Sequence, residues 1–148
     1  MEVGACVNRY SAPIMRTAVI GLPSDTVKLM ADACQESVDI MIEHIRPGVQ
    51  GCQVAAAAGK ALRNVPDDLV WHGYYGYSVG LGFPPSWADC PIYITETDKT
   101  ELKAGMVFHC NTSLRSIGRF GVACGETILV SDKGCEVLTS LPRALAIR

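Results

Sequence analysis

No cysteine in this chain has a partner at C-x-x-C spacing, no apolar run approaches a membrane span, and neither sign of charge dominates. The seven cysteines (Cys6, Cys34, Cys52, Cys90, Cys110, Cys124 and Cys135) are scattered and odd in number. Zinc ribbons and fingers need two close ligand pairs, so that class of metal site is excluded. Scattered thiols predict reduced cysteines and a cytoplasmic setting. The net charge of −2 holds no basic excess, so neither nucleic acid nor an anionic membrane is an expected partner. No segment reaches the roughly 18 apolar residues of a spanning helix. Met1-Glu2-Val3-Gly4-Ala5-Cys6 lacks the basic and apolar stretches of a secretory leader. There are 3 histidines, and His44 and His72 stand at no metal-ligand spacing, so neither is assigned chemistry.

What is present is apolar surface: 49% of the 148 residues are hydrophobic and 19% charged, enough for one domain with a sizeable core. Val3–Val7 and Ile14–Ile20 are β-branched or small, separated by Asn8-Arg9, and predict a hairpin. Pro23-Ser24-Asp25 is a helix start. From Thr26 to Ile45, apolar residues at Val27, Met30, Cys34, Val38, Met41 and Ile45 recur at three- and four-residue spacing, one face of a long helix stopped by Arg46-Pro47-Gly48. A second helix is predicted over Gln53–Arg63 through the Ala55–Ala58 run. Gly73–Leu81, Gly105–Leu114 and Phe120–Val130 read as strands with turns between them. A hairpin, two helices and three strands make an α+β fold with antiparallel character. There is no internal repeat and no obvious linker, so residues 1–148 read as a single domain.

Several ordered motifs carry a resemblance. Leu102-Lys103-Ala104-Gly105-Met106-Val107-Phe108, then Glu126–Val130 and Gly134–Thr139, then Leu141-Pro142-Arg143, run in sequence along the tail. At the front stand Arg9-Tyr10, Arg16-Thr17, Ile20-Gly21 and Ile45-Arg46-Pro47-Gly48. Together they resemble the C-terminal part of the creatinase, prolidase and methionine aminopeptidase family. The resemblance implies the pita-bread fold, a curved antiparallel sheet flanked by helices. It also implies that this chain is a partial, C-terminal domain, incomplete at its N-terminus, and that it forms a homodimer.

Members of that family which act as metallopeptidases hold two divalent ions with two Asp, one His and two Glu. The resemblance places Glu2, Pro13, Tyr77, Asn111 and Gly125 at those five positions. Pro13 and Gly125 bring no side-chain donor, so no metal and no other cofactor is expected. The replacements are themselves patterned. Gly76-Tyr77-Ser78-Val79-Gly80-Leu81-Gly82-Phe83-Pro84-Pro85-Ser86-Trp87 and Phe108-His109 resemble segments of the ectoine-hydrolase-like members, which hydrolyse small C–N-bonded substrates without a metal. That likeness implies amide or amidine hydrolysis of a small cyclic or zwitterionic solute.

Chemical roles follow for that activity. His109 and Asn111 share strand parity and face one side. His109 is the expected general acid or base and Glu2 the expected nucleophile or base. Tyr77 and Asn111 are expected to donate hydrogen bonds to a developing oxyanion, and Glu126 to orient or protonate a leaving nitrogen. Phe83 and Trp87 are expected to line the substrate pocket, and Arg115 to bind a substrate carboxylate. Two other readings stay open: a catalytically inactive peptidase-like domain used for binding, and a fragment of a prolidase-like metallopeptidase.

Overall fold

The computed structural model describes residues 1–83 and 86–148, the side chains of residues 89–91 excepted. Pro84 and Pro85, within the Gly76–Trp87 motif, and the side chain of Cys90 lie outside the described residues.

The chain opens with the hairpin β1 (Glu2–Val7) and β2 (Tyr10–Met15). Asn8 and Arg9 both adopt positive φ, 50° and 69°, as a two-residue turn matched to the strand twist requires. That tight turn sets the register: Val7 faces Tyr10 and Glu2 faces Met15. The second strand therefore lies at Tyr10–Met15, not at Ile14–Ile20. Of the latter stretch, Ile14 and Met15 end β2, and Ala18–Val19 form the separate β3, which pairs in parallel with β10 (Ala146–Ile147).

Helix α1 spans Asp25–His44. Ser24 caps it by accepting a hydrogen bond from the Val27 amide at 3.3 Å. Asp25 in the first turn and His44 in the last complement the helix dipole. Met30, Ala33, Cys34, Ser37, Val38 and Met41 form its buried stripe. Helix α2 covers Gly51–Ala58 and tightens into a 3-10 turn at Gly59–Leu62. It begins two residues before the predicted start because Gln53 reaches back to accept from the Gln50 amide at 2.9 Å.

Among the described residues, eight strands form one sheet in which β1, β2, β8 (Phe120–Ser131), β7 (Val107–Ser116), β5 (Gly76–Val79) and β6 (Ala88–Ile94) are successive neighbours. The short β4 (Val70–Trp71) pairs with β7, and β9 (Gly134–Val137) with β8. All these pairings are antiparallel. Strand parity on β7 and β8 divides the molecule. Phe108, Cys110, Leu114, Val122, Cys124, Ile128 and Val130 join α1 and α2 residues in one core. Each large apolar side chain there contributes about 1.5–3 kcal/mol by burial. Thr112, on the same face, satisfies its hydroxyl on Ser37 of α1 at 2.9 Å. The other parity (His109, Asn111, Ser113, Arg115 and Gly125) belongs to the face the helices leave open. No helix among the described residues is long and apolar enough to cross a membrane.

Candidate active site

The central ladders bring five strands to one point. Tyr77 lies opposite His109, and Asn111 opposite Gly125. Met15 lies opposite Gly125, and Glu2 opposite Met15. The register thus gathers Glu2, Tyr77 and the β7 residues His109 and Asn111 from three distant parts of the sequence. Pro13 comes to the same place through its backbone, its carbonyl facing the His109 ring.

Tyr77 is the hub of the polar contacts. Its hydroxyl accepts from Trp87 Nε1 at 2.9 Å and donates to Glu2 Oε1 at 3.4 Å. Glu2 Oε1 also stands 3.6 Å from His109 Nε2. The Tyr77 and His109 rings meet edge to face, with centroids 5.4 Å apart. Trp87 lies against β1 because residue 4 is glycine: a Cβ there would stand 3.1 Å from Trp87 Cε3.

Glu2, Tyr77, Trp87 and Asn111 edge a cavity of about 220 Å³ whose walls also include His72, Tyr74, Tyr93 and Arg115; the fully buried His109 ring stands behind Glu2 and Tyr77 and does not line it. A cavity of that size suits a small solute rather than a folded polypeptide. Tyr74, Tyr77 and Tyr93 are mutually packed, with centroids 5.5–6.3 Å apart, and give the pocket an aromatic wall. Asn111 is fully buried; its side chain lies close enough to His72 to favour that ring's charged form but completes no hydrogen bond of good geometry. Both ring nitrogens of His109 are likewise unpartnered, although the ring is fully buried. Buried polar atoms without partners cost stability; of these two residues Asn111 lines the cavity, where a bound solute can satisfy its amide.

Burial dominates the proton affinities. It pushes His109 down to about 4, against the pull of the Glu126 and Pro13 carbonyls, which favour the charged form without completing hydrogen bonds. His109 is therefore neutral at pH 7, and its approach to Glu2 is a contact between a carboxylate and a neutral ring, not an ion pair. A neutral ring can donate or accept a hydrogen bond near neutrality but carries no imidazolium proton. Glu2 is raised by burial, with Tyr77 and Arg115 pulling the other way. Tyr77 is also raised, first by burial, so its hydroxyl keeps its proton.

Two expected residues stand elsewhere. Glu126 belongs to the helix-facing parity of β8: its carboxylate is fully buried, held by Arg16 at 2.5 Å and Arg143 at 3.4 Å, and it does not edge the cavity. It cannot protonate a leaving group on the opposite face. Phe83 is two-thirds exposed, lies under the Arg9 guanidinium at 4.5 Å, and is not part of the cavity wall. Arg115 does reach the cavity, from an exposed position on β7. The site also includes a residue that sequence spacing passed over. His72 lines the cavity, its Nδ1 is 3.3 Å from Ser113 Oγ, and burial lowers its proton affinity. A lone histidine in a loop carries no periodic signal; only the β4–β7 pairing brings it in.

The five positions at which the family resemblance puts metal ligands do not fit a pair of divalent ions. Pro13 and Gly125 offer no side-chain donor, and the Tyr77 hydroxyl stays protonated between Trp87 and Glu2. Among the described residues no three His, Cys, Asp or Glu side chains are grouped to hold a metal. The space is occupied instead. A Cβ on residue 125 would stand 2.9 Å from both His109 Cε1 and Asn111 Cβ.

The chain is 30% identical over 147 residues to the ectoine hydrolase of Halomonas elongata, covering 99% of this chain and 36% of that protein. It is 26% identical over 145 residues to the Xaa-Pro dipeptidase of Pyrococcus furiosus, covering 98% of this chain and 40% of the relative. The X-Pro aminopeptidase of Thermotoga maritima MSB8 superposes with a TM-score of 0.86 at 26% identity, over 99% of this chain and 40% of that one. The chain thus spans well under half the length of these relatives, and over that length it has their pita-bread architecture. The sequence model of metallopeptidase family M24 matches residues 1–132, and the chain belongs to that family.

Proposed function

We propose that this chain carries the active site of a metal-independent hydrolase that cleaves a C–N bond, amide or amidine, in a small solute. The observation that supports this most is the exchange at the family's ligand positions. Where the last carboxylate of a two-metal centre would stand there is a glycine, and the imidazole of His109 fills the volume that a side chain there needs. What replaces the ligand set is a small cavity with an acid, an imidazole, a hydroxyl and an amide grouped beside it.

In this reading Glu2, with its proton affinity raised toward the working pH, takes a proton from water as the water oxygen bonds to the substrate carbon. Direct attack by the carboxylate is the covalent variant. Tyr77 and the Asn111 amide donate to the charge that develops on the attacked group. As the C–N bond breaks, Glu2 returns its proton to the leaving nitrogen, which balances the addition of one water. Neutral His109, 3.6 Å behind the Glu2 carboxylate and not bonded to it, excludes water from that side. Arg115 at the cavity edge suits a carboxylate on the solute. The small-molecule substrate, a homodimeric assembly and a cytoplasmic setting belong to the same proposal.

The test is hydrolysis of a cyclic amidine amino acid and of an Xaa-Pro dipeptide by the purified protein, each with and without a chelator. Amidine turnover unchanged by chelation, with no dipeptide cleavage, is the expected result. Dipeptide cleavage that the chelator abolishes would return the chain to the metallopeptidases. Solute binding without turnover of either substrate would favour the binding-domain reading.

A further inference from the structure

Arg16 is only 13% exposed at its side chain, and all five guanidinium N–H groups have an acceptor. Nη1 donates to the carbonyls of Met15 and Gly125, both at 2.7 Å. Nη2 donates to Glu126 Oε1 at 2.5 Å and to the Leu141 carbonyl at 2.7 Å. Nε donates to the Pro142 carbonyl at 2.7 Å. The backbone of the same residue exchanges two bonds with Met1, donating to its carbonyl at 3.0 Å and accepting from its nitrogen at 2.8 Å.

The placement of those bonds matters more than their number. Met1 precedes Glu2, and Met15 lies opposite Glu2 in the hairpin ladder. Gly125 abuts the His109 ring. Strands β2 and β8 meet through one register pair, Met15 with Gly125, and Arg16 grips both carbonyls of that pair. The planar fork of an arginine fixes two acceptors at once, which a lysine ammonium does not.

We infer that Arg16, oriented by the buried carboxylate of Glu126, is a positioning residue that sets the separation of Glu2 from His109 across the β2–β8 junction. This inference rests on the reading in which Glu2 is the reacting base and His109 backs its carboxylate. It gives Glu126 a role through Arg16 instead of at the substrate, and Arg143 adds to it by joining Glu126 to Asp39 of α1, 2.8 Å from its Nε. A shift of about 1 Å between reacting groups costs roughly a hundredfold in rate, so small losses of grip are visible in turnover.

The experiment uses Arg16→Met, Arg16→Lys and Glu126→Gln, with the ring Cε1–H signals of the three histidines read by NMR on each folded variant. The expected result is that both Arg16 variants displace the His109 signal while His44, at the end of α1, stays in place. Glu126→Gln, which keeps an acceptor, displaces it less. In the assay described above, kcat per folded molecule falls about tenfold or more in Arg16→Lys, with KM within about twofold. A His109 signal unmoved in folded Arg16→Lys overturns the inference, because retained charge would then suffice without the fork. Unchanged kcat in that variant overturns it equally. The NMR arm needs no substrate, so an absence of hydrolysis would sink the functional reading while the positioning of His109 is still judged.

Discussion

His109 and Gly125 occupy each other's space: the Cβ that Gly125 lacks would stand 2.9 Å from Cε1 and 3.1 Å from Nε2 of the imidazole. One residue's size depends on the other's absence of a side chain. A carboxylate side chain at 125 and an imidazole at 109 therefore exclude each other without rearrangement.

Gly125→Ala tests that relationship. Forcing a methyl into contact with the ring is expected to cost about 1–3 kcal/mol in urea unfolding. The same substitution in a His109→Ala background should cost less, because the clash with the ring is gone and the one with Asn111 Cβ remains. Equal costs in the two backgrounds would show that the two residues are independent.

Tyr77→Phe removes the hydroxyl that joins Trp87 to Glu2. It leaves the Trp87 N–H without its 2.9 Å acceptor, at a cost of about 1 kcal/mol in thermal unfolding. If the hydroxyl also stabilises the developing charge, kcat in the amidine assay drops about a hundredfold or more. A stability loss with kcat intact would make Tyr77 a wall residue only.

Acid stability follows from His109. Its folded-state value of about 4 lies below the ordinary 6.5, so between these two the unfolded chain binds a proton that the folded chain refuses. Stability is thus intact above about pH 6.5, falls as the pH drops toward 4, and changes no further below that. The full loss from this group is about 3 kcal/mol. His72 adds in the same direction. Glu2, raised when folded, opposes slightly at the acid end, but its carboxylate is one-third exposed and solvent screens it. Urea midpoints from pH 4 to 7 should flatten in His109→Gln; an unchanged slope there would remove His109 as the cause.

Arg115→Ala is expected to raise KM for a carboxylate-bearing solute about tenfold and leave kcat within about twofold, since an exposed guanidinium contributes binding and no chemistry. Decarboxylated substrate should show no such difference. A fall in kcat with KM unchanged would place Arg115 in the reacting geometry.

The sequence made α1 legible through its three- and four-residue stripe and Ser24, and the long strands β7 and β8 through their composition. Asn8-Arg9 marked the first turn, but its two-residue tightness, which moves β2 forward to Tyr10, shows only in the backbone. Strand parity correctly set His109 beside Asn111 within β7. It says nothing of how β8 is shifted against β7, and that register turns Glu126 to the helices and Gly125 to the site. His72 and the carbonyl-gripping role of Arg16 depend on pairings between distant segments, and neither has a periodic signature. The strand β6 was missed because it carries Pro91 and lies in a stretch dense in turn residues.

Metal independence is the part of the proposal that a binding measurement reaches most directly. Calorimetric titration of the purified, chelator-treated protein with Mn²⁺, Co²⁺ and Zn²⁺, checked by elemental analysis after dialysis, measures it. The prediction is no stoichiometric uptake of any of the three. Two equivalents of one metal per chain, retained on dialysis and removed by chelator, would contradict it.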